Sequence, residues 1–499
     1  MNKLKNFYEY LKKTGVKYPN KIAIIDEVSS INYSKLISNI EKISFAISKK
    51  KKIIIFTKND IETITMINVF SNINANFIPI NHDFFKSDLS RLLEIYKPDL
   101  IVAHTPLLKF LKHNKHFSNL LNNKKKVFSI GEKIGEEYNY KEIIKKSAFV
   151  KKIYNKHKKT NFFLISFTSG TTGKPKKIYF TEKNFIDRAF ASNQFYKIKK
   201  KNFLISTPLY HTLAIKSLFM AITAESSITL IDKFTSYKWL KISKNVLPSI
   251  WLTSSSQIKE LIQNHENDFF NLINVKKIIS AADSLDIQYK QKILKKAKFE
   301  FYDTYGTTET DGISNLKVNK STENLQTVGK INNRFKVKIL RNKILYNKNN
   351  ITGEICCKSP FIFDNIISTE SKKKLFKDGF YKTGDYGYFD SQKNLNITGR
   401  KKNIIIVSGI NIYPEKIEKI IKQIPNIKDA CVIGKKNLIS GEEIIAFIQL
   451  KKKITTKKIM NFLVKNLPSF SIPRKLIFIK QIPKNIMKKN DREKLYKFI

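Results

Sequence analysis

The sequence predicts an α/β fold, and two recurring patterns support this. Short apolar runs rich in β-branched and aromatic residues, such as Ile53–Phe56, Phe77–Ile80 and Leu100–Val102, have the composition of buried strands. Longer segments with helical spacing of apolar residues, such as Ile61–Ile73 and Ser284–Ala297, lie between such runs. Further predicted strands are Leu204–Ile205, Ile228–Ile231 and Ile278–Ile279. Strands that alternate with helices indicate layered α/β structure with mostly parallel pairing.

The pattern changes twice in the C-terminal part of the chain. From Lys336 to Ile397 the apolar runs shorten and turn residues become frequent, which predicts a smaller β-rich unit. After Arg400 helical and strand patterns return, and we expect a small α+β unit of about 100 residues. Its predicted helices are Pro414–Ile424 and Thr456–Leu467, and its predicted strands are Asp429–Gly434 and Ile444–Leu450.

Composition narrows the class of protein. The chain has 499 residues, of which 42% are hydrophobic, with 36 Phe and 21 Tyr, enough to bury several cores and too apolar for a disordered chain. The first residues lack the apolar region of a signal peptide, and no apolar run is long enough to span a membrane. The three cysteines lack zinc-like spacing and are too few for a disulfide framework, so we expect a reducing, cytoplasmic location.

The formal net charge of +52 admits two interpretations. A polyanionic partner such as nucleic acid would explain it, and so would lysine enrichment over the whole surface. Residues 401–499 and the rest of the chain are both strongly basic, and no block combines basic residues with interleaved aromatics or a nucleic-acid-binding motif. We therefore favour lysine enrichment and expect no specific nucleic-acid partner.

The segment Thr168–Lys177 carries the most chemical information. Its sequence, TSGTTGKPKK, follows the apolar run Phe162–Phe167, which predicts a strand. Glycines let backbone N–H groups converge on an anion, and hydroxyls and lysines add hydrogen bonds and charge, which is typical of a phosphate-binding loop. Only two residues separate Gly170 from Gly173, so the spacing is not that of Walker A, and the Gly-x-Gly of dinucleotide fingerprints is absent. The alternative interpretation is a solvated turn without a ligand.

Two downstream segments have the chemistry of nucleotide binding. In Asp303–Glu309, of sequence DTYGTTE, a tyrosine can stack on a purine, Asp303 can accept from an exocyclic amine, and Glu309 can hold Mg²⁺ beside phosphates. A β-turn with a capping glutamate is the alternative for this segment. In Tyr381–Asp385 a carboxylate follows a glycine turn and is suited to accept from ribose hydroxyls, with an Asx turn as the alternative.

Three shorter segments complete the set. Gly399–Lys402 is either a cationic hinge or a surface loop. Val407–Glu415 is a glycine loop that leads into a predicted helix, an arrangement common to many proteins. Lys489–Arg492 would by itself indicate no more than a charged tail.

In this order and at these intervals, the segments resemble the adenylate-forming (AMP-binding) superfamily of acyl-CoA synthetases, luciferases and peptide-synthetase adenylation domains. The resemblance extends from about Tyr18 to Leu495, and the region Tyr381–Glu415 is most similar to bacterial fatty and aryl acid–CoA ligases. Further matching segments are Ile31–Leu36, Ala75–Ile80, Pro208–His211, Val328–Lys330 and Gly353–Ile355.

The resemblance implies an α/β architecture with two domains. The large multilayer N-terminal domain would span residues 1–399 and contain two α/β-layered subdomains and a small β-rich subdomain. A small mobile α+β domain would span residues 400–499, with a hinge near Lys402. The resemblance leaves the oligomeric state open.

The resemblance also implies a two-step reaction that uses ATP, Mg²⁺ and coenzyme A. A small carboxylic acid attacks the α-phosphate of MgATP, which gives an acyl-adenylate and pyrophosphate. A thiol, usually that of coenzyme A, then attacks the acyl carbon and AMP leaves. Two alternatives stay open: transfer to the phosphopantetheine of a carrier protein, which we expect to act in trans, and a non-catalytic protein that binds polyanions.

Individual residues acquire implied roles from the same resemblance. Lys489 would bridge the acid's carboxylate and the α-phosphate, and His211 would lie at the acyl pocket, with a core histidine bonded to backbone as the alternative. Asp385 and Arg400 would hold the ribose. Tyr305 and Asp303 would hold adenine. The implied catalytic residues are Lys489, Thr308, Glu309 and His211, with Glu309 as the Mg²⁺ ligand. The implied cofactor-binding residues are Thr168, Ser169, Gly170, Thr171, Thr172, Gly173, Lys176, Asp303, Thr304, Tyr305, Gly306, Thr307, Asp385, Arg400, Lys402 and Gly409.

The chain departs from the family pattern at several positions. Lys177 stands where glycine usually ends the phosphate loop, and Ile406 occupies a position often held by lysine. Lys488 precedes the implied catalytic lysine where glycine is usual. Ala214 replaces a common glycine beside the acyl pocket, and Ala281–Ala282 replaces a glycine pair near adenine and the acyl channel. The added methyl groups predict an altered acyl pocket.

Overall fold

The computed structural model describes residues 4, 6–81, 89–112, 126–135, 137–146, 162–168, 176–271, 274–283, 285–362, 375–407, 410–437, 441–484 and 490–499. The chain divides into two compact units, Met1–Leu325 with Pro360–Ile367, and Gln326–Ser359 with Ser368–Ile499. Among the described residues, no helix combines the length and the apolar character needed to cross a membrane. The predicted domain boundary between residues 399 and 400 lies inside the second unit and stays a prediction.

Helices and strands alternate along the first unit. Its helices are α1 (Phe7–Lys17), α2 (Tyr33–Ala46), α3 (Ile61–Asn72), α4 (Leu89–Tyr96), α5 (Thr105–Lys112), α6 (Tyr140–Lys145), α7 (Glu182–Phe195), α8 (Thr212–Thr223), α9 (Ser236–Val246), α10 (Ser255–Asn264), α11 (Glu266–Asn271) and α12 (Ile287–Lys296). Its strands are β1 (Ile22–Ile25), β2 (Ser30–Asn32), β3 (Lys52–Phe56), β4 (Asn76–Ile80), β5 (Leu100–His104), β6 (Val127–Ile130), β7 (Tyr138–Asn139), β8 (Phe162–Thr168), β9 (Lys176–Thr181), β10 (Phe203–Ile205), β11 (Ile228–Leu230), β12 (Ile250–Ser254), β13 (Lys277–Ala281), β14 (Glu300–Thr307) and β15 (Asp311–Val318).

Strands predominate in the second unit. Its strands are β16 (Lys330–Ile331), β17 (Lys336–Arg341), β18 (Ile344–Tyr346), β19 (Gly353–Lys358), β20 (Phe376–Lys377), β21 (Phe380–Phe389), β22 (Leu395–Arg400), β23 (Ile405–Val407), β24 (Ile410–Ile412), β25 (Ile427–Asn437), β26 (Gly441–Leu450) and β27 (Lys475–Phe478). Its α-helices are α13 (Pro414–Ile421), α14 (Thr456–Asn466) and α15 (Arg492–Leu495), and its 3₁₀ helices are Lys401–Asn403, Ser469–Ser471 and Tyr496–Phe498.

Small polar residues set the starts of several helices in the first unit. Asn6, Asn32, Asp60 and Thr181 each accept a hydrogen bond from the backbone N–H three residues further along the chain. A side-chain acceptor at this position satisfies an N–H group that the helix itself leaves unpaired.

Two sheets organise the first unit. One has the strand order β7-β6-β5-β3-β4-β8-β9, parallel from β7 to β8 with β9 antiparallel. In the other, the strands of this unit follow the order β15-β14-β13-β12-β10-β11-β1-β2, with antiparallel pairs at both ends and parallel pairs between them. Fully buried Ile54 and Phe56 belong to the core of the first sheet, and Trp239, Trp251 and Phe269 to that of the second.

Asn59 links these two sheets at the carboxyl ends of their strands. Its side-chain amide donates to the carbonyl oxygens of Thr207 and Ile231, both at 3.0 Å. Its side-chain oxygen accepts from the N–H of Leu209 at 3.0 Å. Ligands of α/β proteins bind at such carboxyl ends, so Asn59 fixes the loop Pro208–His211 where a site is expected.

The second unit contains two smaller sheets. The strands β18-β17-β19-β21-β20, with β22 beside β21, pair antiparallel throughout. The other sheet has the order β24-β23-β26-β25, with β27 parallel to β26. Ile417 and Ile421 of α13 and Leu463 of α14 pack into its core.

The predicted α/β class is confirmed, and every strand and helix named from the sequence is present with ends shifted by a few residues. The predicted β-rich unit is the antiparallel sheet from β17 to β22. The predicted helix Pro414–Ile424 ends at Ile421, and the one predicted from residue 284 begins at Ile287.

Candidate active site

The segment Asp303–Glu309 lies at the carboxyl end of β14. Its first residues continue the parallel pairing of β14 with β13, and the chain then turns back into the antiparallel strand β15. Gly306 is required here, because a Cβ at this position would lie 2.0 Å from the carbonyl oxygen of Asp311. Asp311 itself has a φ of 68°, in the left-handed region. The segment is therefore a tight turn whose backbone path is closely fixed.

Hydroxyl groups stabilise this turn from inside. The hydroxyl of Thr310, which is fully buried, accepts from the N–H of Thr307 at 3.0 Å and lies 3.2 Å from the Thr307 hydroxyl. Thr304 lies 3.0 Å from the hydroxyl of Tyr196 and donates to Asn315 Oδ1 at 2.8 Å. Burial raises the pKa of Tyr196, which keeps its hydroxyl protonated as a donor to Asn315. The side chain of Thr304 thus serves a network inside the unit.

Asp303 forms a buried ion pair with Lys290 of α12. The Lys290 Nζ lies 2.6 Å from Asp303 Oδ2, and the two side chains are 2% and 3% exposed. A carboxylate has two acceptor oxygens, so this ion pair through Oδ2 does not exclude a further hydrogen bond to the aspartate. The predicted contact with an adenine amine stays a prediction.

Two further cations hold the turn. Arg188 of α7 donates to the carbonyl oxygens of Thr308 and Glu309. Lys216 of α8 lies 2.5 Å from Asp311 Oδ1, and both side chains of this pair are largely buried. The turn is thus fastened both through its backbone and through one carboxylate.

His211 is half-buried and immediately precedes α8. Its ring lies 4.2 Å from that of Tyr210, centroid to centroid. The N–H of Leu209, two residues before His211, donates to Asn59 Oδ1. This hydrogen bond restrains the loop that carries His211. The histidine thus lies at the carboxyl end of β10, and its implied role at an acyl pocket stays a prediction.

The predicted phosphate loop begins and ends on paired strands. Thr168 at the end of β8 is in register with Lys176 at the start of β9. The strands β8 and β9 that flank the predicted loop thus form an antiparallel pair at the edge of the seven-stranded sheet. The predicted residues outside the described part of the chain are Ser169, Gly170, Thr171, Thr172, Gly173, Gly409 and Lys489.

In the second unit, the two predicted ribose residues lie together. Arg400 Nε is 2.7 Å from Asp385 Oδ1, and the two residues are in register on β22 and β21. Gly384, with a φ of 76°, lets β21 deviate just before Asp385. Lys402 is exposed in the 3₁₀ helix that follows β22. Asp385 and Arg400 thus lie side by side, and their implied role in holding a ribose stays a prediction.

The C-terminal segment is anchored on both sides of residues 485–489. Lys484 and Asn490 form a β-bridge, and Asn490 also donates to the carbonyl oxygen of Ala430 at 3.3 Å. Arg492 lies 2.5 Å from Glu418 Oε1. Coulombic attraction to Glu418 supports the raised pKa of Arg492 against the opposing effect of its burial.

Glu309 has the chemistry expected of a magnesium ligand. Among the described residues, no group of three or more His, Cys, Asp or Glu side chains is arranged to hold a metal ion by itself. Mg²⁺ is usually held by one or two carboxylates together with substrate phosphates and water. One carboxylate therefore fits a Mg²⁺ ion that binds together with ATP.

The sequence motifs do not include several residues that stabilise this site. Arg188, Lys216, Lys290 and Asn59 lie outside every motif, since their contacts are made through the fold. One signal was available for Arg188: of the 93 basic residues, only seven are arginine. In a chain so rich in lysine, an arginine marks a position where the planar guanidinium has a specific use.

Comparison with known proteins agrees with this fold. A putative acyl–CoA ligase, YdaB of Bacillus subtilis, is 29% identical over 347 residues, which cover 66% of this chain and 67% of that protein. A 2-succinylbenzoate–CoA ligase of Listeria monocytogenes is 23% identical over 97% of this chain and 98% of its own. The structure of o-succinylbenzoate CoA synthetase from B. subtilis, in complex with its acyl-adenylate intermediate, has a TM-score of 0.84 at 22% identity and covers 97% of both chains.

Family models give the assignment itself. The AMP-binding enzyme model matches residues 11–366, and the model of the AMP-binding enzyme C-terminal domain matches residues 416–489. The first match alone spans more than half of the chain and includes β14 and its turn. The resemblance found in the motifs is thereby confirmed: this chain belongs to the AMP-binding enzyme family.

Proposed function

We propose that this chain is an AMP-forming acid–thiol ligase, which activates a carboxylic acid with MgATP and transfers the acyl group to coenzyme A. The observation that carries the proposal is the presence of both family modules, residues 11–366 and 416–489, in one chain. The relatives are named acyl–CoA and 2-succinylbenzoate–CoA ligases, which supports this class of enzyme. A related solved structure contains ATP and magnesium, which supports the same cofactors here.

The first step must bring two anions together, since the carboxylate attacks a phosphate. Cations aimed at the reacting centre reduce this repulsion. We assign Lys489 to the junction of carboxylate and α-phosphate, and the hydroxyls and Lys176 of the phosphate loop to the departing pyrophosphate. Glu309 would hold the Mg²⁺ ion, which supplies positive charge to the phosphates when bound.

The ribose is assigned to the second unit. The Asp385 carboxylate accepts hydrogen bonds, and Arg400 already orients it at 2.7 Å. Tyr305 at the carboxyl end of β14 is assigned to adenine, which its ring can contact by stacking.

The second step requires a different arrangement, because the thiol must approach where Lys489 acted. We propose that residues 400–499 form the mobile domain and rotate about a hinge near Lys402, which withdraws Lys489 and brings the Gly409 loop to the pantetheine channel. The separate family match to residues 416–489 supports a distinct C-terminal module. A cytoplasmic location is also proposed, and three buried free cysteines are consistent with it.

The test is acid-dependent ATP–pyrophosphate exchange over a panel of carboxylic acids. The names of the relatives make 2-succinylbenzoate the first acid to try, followed by aliphatic and aryl acids of different length. Exchange with one acid class, followed by thioester formation with coenzyme A, is the expected result. Thioester formed only with a holo-carrier protein would favour the carrier alternative, and salt-sensitive retention on DNA without exchange would favour a polyanion-binding protein.

A single variant tests the role of Lys489. Lys489→Ala is expected to abolish acid-dependent pyrophosphate release while thioester formation from a supplied acyl-adenylate continues, because the lysine is assigned to the first step alone. Equal loss of both half-reactions would contradict that assignment.

A further inference from the structure

Arg188 is a buried arginine beside the turn that carries Glu309. It lies on α7 and is 3% exposed. Its guanidinium donates to the carbonyl oxygens of Thr308 at 3.1 Å, Glu309 at 2.9 Å and Phe361 at 2.7 Å. All of these residues belong to the first unit. One side chain therefore connects α7 to two otherwise separate backbone segments.

Burying this group has a cost that the contacts must offset. A guanidinium stays charged in proteins, and moving it out of water is unfavourable by several kcal/mol. Burial lowers the pKa of Arg188, while the carboxylates of Asp311 and Glu309 oppose that shift. The guanidinium also lies 5.0 Å from the centre of the Phe180 ring. The desolvation cost of burying the Arg188 guanidinium indicates that this side chain has a specific role at this position.

The geometry of the contact explains why the residue is arginine. Two nitrogens of one planar group bind two successive carbonyls, which fixes the orientation of the two peptide groups on either side of the Glu309 Cα, that between Thr308 and Glu309 and the next one. A lysine presents a single ammonium and does not impose a plane. Arginine is rare in this lysine-rich chain, so its presence here agrees with a requirement for the fork.

The contact with Phe361 provides an internal control. Its carbonyl oxygen also accepts from the side-chain amide of Asn184, at 3.0 Å. Asn184 is one turn before Arg188 on α7 and supports the segment of Phe361. In the described part of the chain its side-chain amide donates to Phe361 and not to Thr308 or Glu309, so Asn184 is a matched residue for separating the two effects.

We infer that Arg188 is a positioning residue, whose guanidinium orients the Thr308–Glu309 peptide so that the Glu309 carboxylate is directed at Mg²⁺ bound with ATP. This inference rests on the proposed function. Orienting groups behind a metal ligand typically change metal affinity or activity about 10–100-fold when removed. The effect should therefore appear in the magnesium dependence of nucleotide binding.

The experiment compares Arg188→Met, Arg188→Lys and the control Asn184→Ala. ATP binding is measured without acid by calorimetry and by the thermal shift that ATP causes, each over a series of Mg²⁺ concentrations. ATP–pyrophosphate exchange gives KM and kcat over the same series. Far- and near-UV circular dichroism establishes that each variant is folded.

The expected result separates the variants by magnesium dependence. Arg188→Met should need about tenfold more Mg²⁺ for half-maximal ATP binding, Arg188→Lys should be intermediate, and Asn184→Ala should resemble the wild type. A lower kcat with unchanged magnesium dependence, the same shift in Asn184→Ala, or failure of both Arg188 variants to fold would overturn the inference.

The binding measurements keep this inference distinct from the proposed function. If the wild type binds ATP in a magnesium-dependent way but exchanges no pyrophosphate with any acid, the proposed function fails while the role of Arg188 is still decided by binding. If the wild type shows no magnesium-dependent ATP binding, both are contradicted.

Discussion

Each of the two units contains predicted nucleotide-binding residues, and the two units stabilise these residues in different ways. In the first unit, the turn after β14 is fastened by buried cations, with Arg188 and Lys290 at 3% and 2% exposure. In the second unit, Asp385 is paired with an arginine whose side chain is 47% exposed. The buried cations of the first unit hold the turn in one position. The exposed Arg400 side chain is accessible to solvent and can bind another group in place of Asp385.

This difference in exposure predicts different effects on the free energy of unfolding and on nucleotide binding. Removing one partner of a buried ion pair leaves an uncompensated charge, at a cost of about 3–5 kcal/mol. Removing one partner of an exposed pair usually costs about 0–1 kcal/mol. Loss of Lys290 should therefore destabilise the fold more than loss of the half-exposed Arg400, whose removal should change nucleotide affinity.

The largest expected effect is that of Lys290→Met. The variant leaves Asp303 buried without its cation, and the free energy of unfolding in urea should fall by about 3–5 kcal/mol. Lys292 is the matched control, because it lies on the same helix and its pair with Glu266 is exposed. Lys292→Met should cost less than about 1 kcal/mol. Equal losses in the two variants would contradict the contrast between buried and exposed pairs.

The half-buried Glu182 at the start of α7 predicts a pH effect. Burial raises the pKa of Glu182 to about 7, although Ser71 and the Phe7 N–H, which donates at 3.0 Å, oppose the shift. The neutral form is favoured in the folded protein, so its stabilisation is complete below about pH 4.5 and is lost as the pH rises through 7.

Unfolding free energies measured from pH 5 to pH 8 test this effect. The wild type should lose about 2 kcal/mol more than Glu182→Gln over that range, since the glutamine does not ionise. Parallel pH profiles for the two proteins would show that Glu182 is not the titrating group.

Arg400→Met examines a pair in which the arginine is 47% exposed and the aspartate 5%. The free energy of unfolding should fall by less than in Lys290→Met, because solvent reaches the arginine side of this pair, whereas both partners of the Lys290–Asp303 pair are buried. The KM for ATP should rise about tenfold, as expected for loss of a charge-assisted contact. Arg341, an exposed arginine of the same sheet, is the control, and Arg341→Met should leave KM unchanged. An unchanged KM in Arg400→Met would remove this residue from the site.

The smallest effect is expected at the alanine pair after β13. Ala282 has a φ of 72°, in the left-handed region that disfavours a side chain. Ala282→Gly should therefore raise the free energy of unfolding, measured in urea, by about 1 kcal/mol. Ala281→Gly, at the end of the strand, should instead lose about 0.5–1 kcal/mol. A loss of stability in Ala282→Gly would exclude strain at residue 282.

Much of the fold was predictable because its signals are local. Apolar runs such as Leu100–Val102 are long enough to indicate a buried strand, and the turn-rich stretch after Lys336 indicates a small β-rich unit. The motif around Gly306 was equally accessible, because its residues are consecutive in the sequence.

The contacts behind the site were not predictable in the same way. Lys290 and Asp303 are 13 residues apart on different elements, and Arg188 reaches a carbonyl 120 residues away along the chain. No periodicity encodes such pairs, because they depend on how helices pack on a sheet. In a chain with 93 basic residues, the few buried cations cannot be distinguished by composition alone.

The link made by Asn59 has a consequence for local opening. The N–H of Leu209, which follows β10, donates to Asn59, which follows β3 of the other sheet, so this proton exchanges with solvent only when the junction between the two sheets opens. Its hydrogen-exchange rate therefore reports on the junction, independently of turnover. Slow exchange of the Leu209 amide would indicate that the segment around His211 is among the last parts of the unit to open.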